Sequence, residues 1–220
     1  MWKFTYHFIH LLIFIITKPL FRFKAIGTRH IPKKGGAILA SNHASYVDPF
    51  FVGLGVVRRI NYLAKKELFS NRVTSYLLTN LFRVIPIDRE QMDRTTLKTI
   101  YGHLRSNEIL LMFPEGTRSF DGRLQEAKMG IGMIAYNTKV PIIPVYIRGS
   151  HEILPRDAKR LHLKQCSVYF GPPVNLDEFY KQQKSKELYK TISEIIMASI
   201  GKLQEKAQQD IRACETRAAE

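Results

Sequence analysis

A histidine and an aspartate five residues apart, His43 and Asp48, follow directly on a short apolar run, Ala37-Ile38-Leu39-Ala40. The run reads as a buried strand. Asp48-Pro49 reads as a helix start, because Asp is a favoured N-cap and Pro is tolerated at the first helical position. Side chains five apart on a regular helix point about 140° away from each other. His43 and Asp48 therefore meet only if the turn folds the histidine back over the helix start. A carboxylate that takes one imidazole N–H fixes the tautomer and leaves the other ring nitrogen free to act as a base. The plain alternative is an aspartate that caps its helix and a histidine that is only a hydrogen-bonded turn residue.

A second group stands about 70 residues on. The run Glu108-Ile109-Leu110-Leu111-Met112-Phe113 is the most strand-like in the chain, and it stops at Pro114-Glu115-Gly116-Thr117-Arg118-Ser119. Gly116 lets a backbone approach a ligand closely. Arg118 offers a planar donor fork suited to phosphate, and Glu115 is expected to face the same opening, accepting from a hydroxyl or holding Arg118. The alternative is a surface turn with a local Glu–Arg ion pair. Lys65, after strand-like Ile60-Asn61-Tyr62, can reach an anionic group or lie on a solvated helix start. Arg89, ending Val84-Ile85-Pro86-Ile87-Asp88, can clamp a phosphate or pair with Asp88.

The elements that must position these groups follow from apolar patterning. Short apolar runs at 38–40, 84–87, 109–113, 142–147 and 167–170 suit strands covered on both faces. Helical stretches lie between them, at roughly 49–57, 72–82, 93–105 and 127–137. This alternation predicts an α/β fold with a central, largely parallel or mixed sheet flanked by helices. The pattern from about Lys186 to Gln209 predicts a long C-terminal helix, with a polar, frayed end from Asp210.

Trp2 to Ile16 forms an apolar helix with Lys3, His7 and His10 as a narrow polar stripe. At about 22 Å it is short of the roughly 30 Å bilayer core. Residues 17–21 carry no small-residue cleavage site, which argues against a secretory signal. The expectation is an N-terminal membrane-associated helix over 1–20 that lies in one leaflet, ahead of a single domain over 21–220. Trp2 and Tyr6 suit the interface, and Lys18, Arg22 and Lys24 suit anionic headgroups. A core helix is the alternative.

The 220 residues carry a net charge of +15, so anionic partners are expected. Cys166 and Cys214 match no metal spacing and suggest a reducing compartment. A lipid hydrolase would need a nucleophile, and no G-x-S-x-G occurs. A nucleic-acid module would cluster its cations with aromatics on one face, whereas here they are spread over the chain and the apolar N-terminus goes unexplained.

Four blocks stand in one order: Asn42-His43-x4-Asp48; Lys65-Lys66-Glu67-Leu68 with Ile87-Asp88-Arg89; Phe113 to Ser119; and Val140-Pro141-Ile142-Ile143-Pro144-Val145. Over about residues 21–175 the chain resembles the glycerolipid acyltransferase family, most closely its 1-acyl-sn-glycerol-3-phosphate (lysophosphatidate) acyltransferases. It departs from the family in the second block, where residues 71–83 lack the usual Pro and Gly. The resemblance implies His43 as general base, with Asp48 orienting it. It implies Glu115, Gly116, Thr117 and Arg118 as acceptor-binding residues, with Arg89 and Lys65 adding to phosphate binding. Pro144 and its neighbours would shape the acyl side. The implied partners are a lysophospholipid acceptor, acyl-CoA or acyl carrier protein as co-substrate, and an anionic membrane surface. No metal, other cofactor or nucleic acid is expected, and the implied location is monotopic on the cytoplasmic face.

Overall fold

A computed structural model describes residues 2–76, 79, 83–87, 94–158 and 160–219. Its centre is three strands that are apolar at nearly every position: β2 (Ala37–Ser41), β5 (Ile109–Met112) and β6 (Ile142–Arg148). Strands of this kind need cover on both faces, and both are covered. With β1 (Lys24–Ile26), β3 (Ile60–Lys65), β4 (Val84–Ile87) and β7 (Ser167–Phe170) they form a sheet of order β1-β7-β6-β2-β5-β3-β4 among the described residues. Neighbours pair in parallel except β6 and β7, which run antiparallel, so the sheet is mixed.

Strand periodicity splits the core in two. Ile38, Ala40, Leu110, Met112, Ile142 and Tyr146 face one layer, and Leu39, Ile109, Leu111, Ile143, Val145 and Ile147 face the other. The first layer is closed by α4 (Arg94–Arg105), α5 (Gly130–Thr138) and α7 (Lys186–Ala219). The second is closed by α2 (Asp48–Leu54) through Phe51, Val52 and Leu54, together with Phe21 and Phe23. The short helices α3 (Arg72–Tyr76) and α6 (Ser150–Ile153) lie after β3 and β6. At Gly132 a Cβ would stand 2.0 Å from the Tyr189 carbonyl oxygen, so glycine sets the close approach of α5 to α7.

Helix α7 runs nine residues past the predicted frayed start at Asp210, to Ala219. Its tail contains neither Gly nor Pro and includes Ala, Arg and Glu, which favour helix, although Ala207 is the last of its described side chains buried in the core. The predicted helix over 72–82 is seen only as Arg72–Tyr76, since most of the remainder lies outside the described residues.

Helix α1 (Trp2–Leu20) fills the expected 1–20 segment, running one turn past the apolar stretch that ends at Ile16, and takes Pro19 into its last turn. One face touches the domain: Ile13 and Phe14 pack on the second core layer, Thr17 is buried, and the His10 Nε2 lies 3.0 Å from the Gly53 carbonyl oxygen. The opposite face leaves Leu11, Leu12, Ile15, Ile16 and Leu20 about half exposed. No helix among the described residues is long and apolar enough to cross a membrane.

Candidate active site

The chain reverses direction around β2. From β2 it moves through α2 to β3 on one side, and from β5 it crosses back through α5 to β6 on the other. In open α/β sheets the crevice outside the carboxyl ends of strands at such a switch is where ligands bind. The site occupies the loops leaving β2, β5 and β6.

The register pairs Ala40 with Met112 and Ser41 with Val145. The exits of β2 and β5 therefore lie side by side, and Phe113 comes under the His43 ring. The two rings stack with centroids 3.9 Å apart and planes 14° from parallel. Asn42 extends the pairing with β6 by its side chain. Its amide nitrogen donates to the Ile147 carbonyl at 3.1 Å, and its oxygen accepts the Ile147 N–H at 2.7 Å.

His43 lies in the non-helical turn between β2 and α2, as the pairing with Asp48 requires. Asp48 Oδ2 is 2.8 Å from His43 Nδ1 and also accepts the backbone N–H groups of Ala44 and Ser45, each at 2.7 Å. An oxygen that accepts from two amides is an acceptor to the ring as well, so Nδ1 carries the proton and Nε2 is the basic nitrogen. Both residues are buried, Asp48 completely. The expected cap by Asp48 is not made. Val47 is the N-cap without a side-chain bond, and the Asp48 carboxylate turns back to the His43 loop instead. Ser41 and Ser45 are fully buried, and both spend their hydroxyls on main-chain carbonyls, of Asn42 and Leu154.

Glu115 is placed differently from the sequence expectation. It is 3% exposed, with Oε1 accepting the backbone N–H of His43 at 3.2 Å and Oε2 accepting from the Gln125 amide at 3.1 Å. Burial, with a smaller push from Asp48, raises its carboxyl to about 8 against the two hydrogen bonds that favour the charged form. Glu115 thus braces the main chain of the base. It neither pairs with Arg118 nor shares its exposed face.

Gly116 has φ 71°, a conformation glycine adopts without strain. A Cβ there would meet the stem of Lys128 at 2.8 Å. The main chain of Lys128 returns to the same turn, its N–H donating to the Pro114 carbonyl at 2.8 Å. Thr117 is half-buried beside it. The Arg118 guanidinium lies 3.4 Å over the Tyr46 ring and donates to the Arg156 carbonyl at 3.1 Å, leaving further donors for a ligand. Ser119 N–H ties this loop to the His43 carbonyl at 2.8 Å.

The structure therefore brings together His43, Asp48, Glu115, Gly116, Thr117 and Arg118. Lys65 ends β3, but its side chain is outside those described, and Arg89 lies outside the described residues altogether. Pro144 is buried within β6, with a Cβ at Gly171 placed 2.8 Å from its ring. Sequence reasoning missed the stacking role of Phe113, the link through Gln125, and Arg156. Nothing in spacing separates Arg156 from the chain's other cations. Phe113 was legible only once the β2–β5 register was known.

The sequence model of the acyltransferase family matches residues 22–148, from the start of the sheet through the end of β6 and across the loops leaving β2 and β5. The chain belongs to the acyltransferase family. It is 30% identical over 188 residues to a 1-acyl-sn-glycerol-3-phosphate acyltransferase of Bacillus subtilis, spanning 84% of this chain and 90% of the relative. It is 35% identical over 176 residues to one of Limnanthes douglasii, spanning 77% of this chain and 59% of that longer relative. Its fold matches the crystal structure of the 1-acyl-sn-glycerophosphate acyltransferase PlsC from Thermotoga maritima with a TM-score of 0.71. That match covers 93% of this chain and 83% of the other at 24% identity. Membership makes this acyltransferase an O-acyltransferase.

Proposed function

We propose that this enzyme transfers an acyl group from a thioester, acyl-CoA or acyl carrier protein, to the free hydroxyl of 1-acylglycerol 3-phosphate, giving phosphatidate for phospholipid biosynthesis. The observation that carries the reading is the buried His43–Asp48 pair, in which His43 Nε2 has no partner among the described residues, beside an Arg118 guanidinium that spends one donor on the Arg156 carbonyl.

His43 Nε2 takes the hydroxyl proton as the oxygen attacks the thioester carbonyl. The C–O bond forms, the tetrahedral intermediate collapses, the C–S bond breaks, and the imidazolium returns the proton to the departing thiolate, which leaves as the thiol. Asp48 holds the tautomer before the step and faces the imidazolium charge during it. Phe113 and Glu115 hold the base in plane and in place. Arg118 holds the acceptor phosphate, with Gly116 and Thr117 bordering it and Lys65 and Arg89 adding charge. A hydroxyl activated by a histidine needs no acyl-enzyme and no metal ion in this scheme.

The apolar outer face of α1 supports a monotopic placement. Leu11, Leu12, Ile15, Ile16 and Leu20 enter one leaflet, while the cations after the helix meet anionic headgroups, each worth roughly 1 kcal/mol near the surface. Thioester donors are intracellular, which places the enzyme on the cytoplasmic face.

The test is purified enzyme with labelled lysophosphatidate, glycerol 3-phosphate, other lysophospholipids and a lyso-aminolipid, each with both donor types. Lysophosphatidate is expected to be acylated fastest. Preference for another acceptor reassigns the substrate within the same chemistry, and absence of transfer to all of them overturns the reading.

A further inference from the structure

Arg118 does not stand alone. Its Nη1 donates to the Arg156 carbonyl at 3.1 Å, and the Arg156 Nη1 donates to the Arg118 carbonyl at 2.7 Å. Each guanidinium sits over an aromatic ring, Arg118 3.4 Å from the Tyr46 centroid and Arg156 3.8 Å from that of Phe120. Tyr46 and Phe120 are largely exposed and both arginines are half-buried, so the clasp stands at the mouth of the site. Each guanidinium uses one of its five N–H groups in this way and keeps others for a ligand.

Neither arginine has a carboxylate partner among the described residues. Asp121 engages Arg123 at 3.5 Å, and Glu115 is turned inward to His43 and Gln125. Two like charges laced together without a counter-charge are poised for an anion. Both segments are also tied to the catalytic turn. Ser119 N–H donates to the His43 carbonyl at 2.8 Å, and Ser45 Oγ donates to the Leu154 carbonyl at 2.7 Å. The position of the pair relative to the base is thereby fixed.

We propose that Arg156 is a second holder of the acceptor phosphate, and that with Arg118 it selects a phosphomonoester over a phosphodiester headgroup. This rests on the acyltransferase reading above. A phosphomonoester has a second pKa of about 6 and approaches two negative charges at neutral pH. It can satisfy both forks, each in the bidentate geometry that guanidinium favours. A phosphodiester carries one charge and leaves one arginine uncompensated.

The experiment compares Arg156→Ala, Arg156→Met and Arg156→Lys with the wild type. Km is measured separately for lysophosphatidate, for lysophosphatidylglycerol and for the thioester. Loss of a charged, forked contact raises the lysophosphatidate Km by roughly ten- to a hundredfold in the Ala and Met variants. Lysophosphatidylglycerol and donor Km change by no more than about threefold. Lys restores part of the loss. In the wild type the lysophosphatidate Km rises as pH falls through about 6, where the second charge is lost, and this rise flattens in Arg156→Met.

Arg156→Met keeps an apolar stem over Phe120, so it tests the charge if Arg156→Ala fails to fold. A merely structural Arg156 lowers kcat or melting temperature and leaves the acceptor Km and its pH profile unmoved, which overturns the proposal. A rise in donor Km instead assigns the clasp to a donor phosphate and overturns it too. Wild-type enzyme that acylates other acceptors but no phosphomonoester refutes the lysophosphatidate assignment on which the clasp rests, whereas a wild type active on lysophosphatidate with an unaltered Arg156→Met removes only the clasp.

Discussion

The Glu115 carboxylate accepts the main-chain N–H of His43, and Arg118, three residues along, lies on Tyr46 instead. The acid of this loop is thus joined to the backbone of the base. Its carboxyl titrates near 8 in the fold because it is buried, against an ordinary value of 4.5. Between these values the unfolded chain releases a proton that the folded chain keeps. The stability that Glu115 contributes is therefore whole below about 4.5, falls as pH rises to about 8, and is flat above. Glu115→Gln keeps an acceptor for His43 N–H and removes this slope. Its melting temperature should gain on the wild type steadily from pH 5 to pH 8. Parallel curves would show that Glu115 is ionised throughout.

Asp48→Asn replaces an acceptor that serves three N–H groups with an amide of nearly the same shape. The ring then loses the partner that fixes its tautomer. Turnover should fall by roughly two to four decades while acceptor Km changes little. Steady-state kinetics on folded protein check this, and a loss confined to Km would make Asp48 a binding residue only.

Arg118→Ala should raise the acceptor Km by about one to two decades, the equivalent of roughly 1.5–3 kcal/mol, and leave the donor Km near its wild-type value. Unchanged acceptor Km and turnover would reduce Arg118 to a structural contact with Arg156 and Tyr46.

For the membrane, removing α1 outright is a poor test, because Ile13, Phe14 and Thr17 belong to the packing of the domain. Leu12→Glu with Ile16→Glu alters only the exposed face. Each aliphatic side chain of this size contributes roughly 1.5–3 kcal/mol when buried in an apolar phase. Flotation with anionic liposomes should drop at least tenfold, with little change in melting temperature. Activity on long-chain acceptor should fall more than on a short-chain, water-soluble one. Full flotation of the double variant would place the membrane contact elsewhere.

Much of the fold was legible because it rests on local chemistry. The continuous apolar runs of β2, β5 and β6 admit only a doubly covered sheet, and the spacing of His43 and Asp48 demands a turn. Other features depend on long-range pairing. Apolar periodicity is the same for a strand running up or down, so the run at 167–170 marked β7 as a strand but not its antiparallel pairing with β6. The orientation of Glu115 depends on the burial of its loop beneath Gln125 and on proximity to a backbone N–H 72 residues away. Arg156 is held at the site by long-range contacts, among them the bond from Ser45 of the His43 turn to the Leu154 carbonyl and its own bonds with Arg118, which a one-dimensional reading of cations does not reveal. Asp48 sits at a helix start, as read, but its Oδ2 takes three donors of the preceding turn, and this turns the carboxylate away from the helix it would cap.

The central claim is that His43 Nε2 removes the proton of the acceptor hydroxyl. It is tested most directly by single-turnover acyl transfer from a labelled thioester to lysophosphatidate, comparing wild type with His43→Ala. The variant's fold is checked by its melting temperature and by unchanged acceptor binding. The expected result is labelled phosphatidate from the wild type and a rate roughly a hundred- to ten-thousandfold lower from the variant, the loss typical of a removed general base. Phosphatidate formed by folded His43→Ala at a rate near that of the wild type would contradict the account.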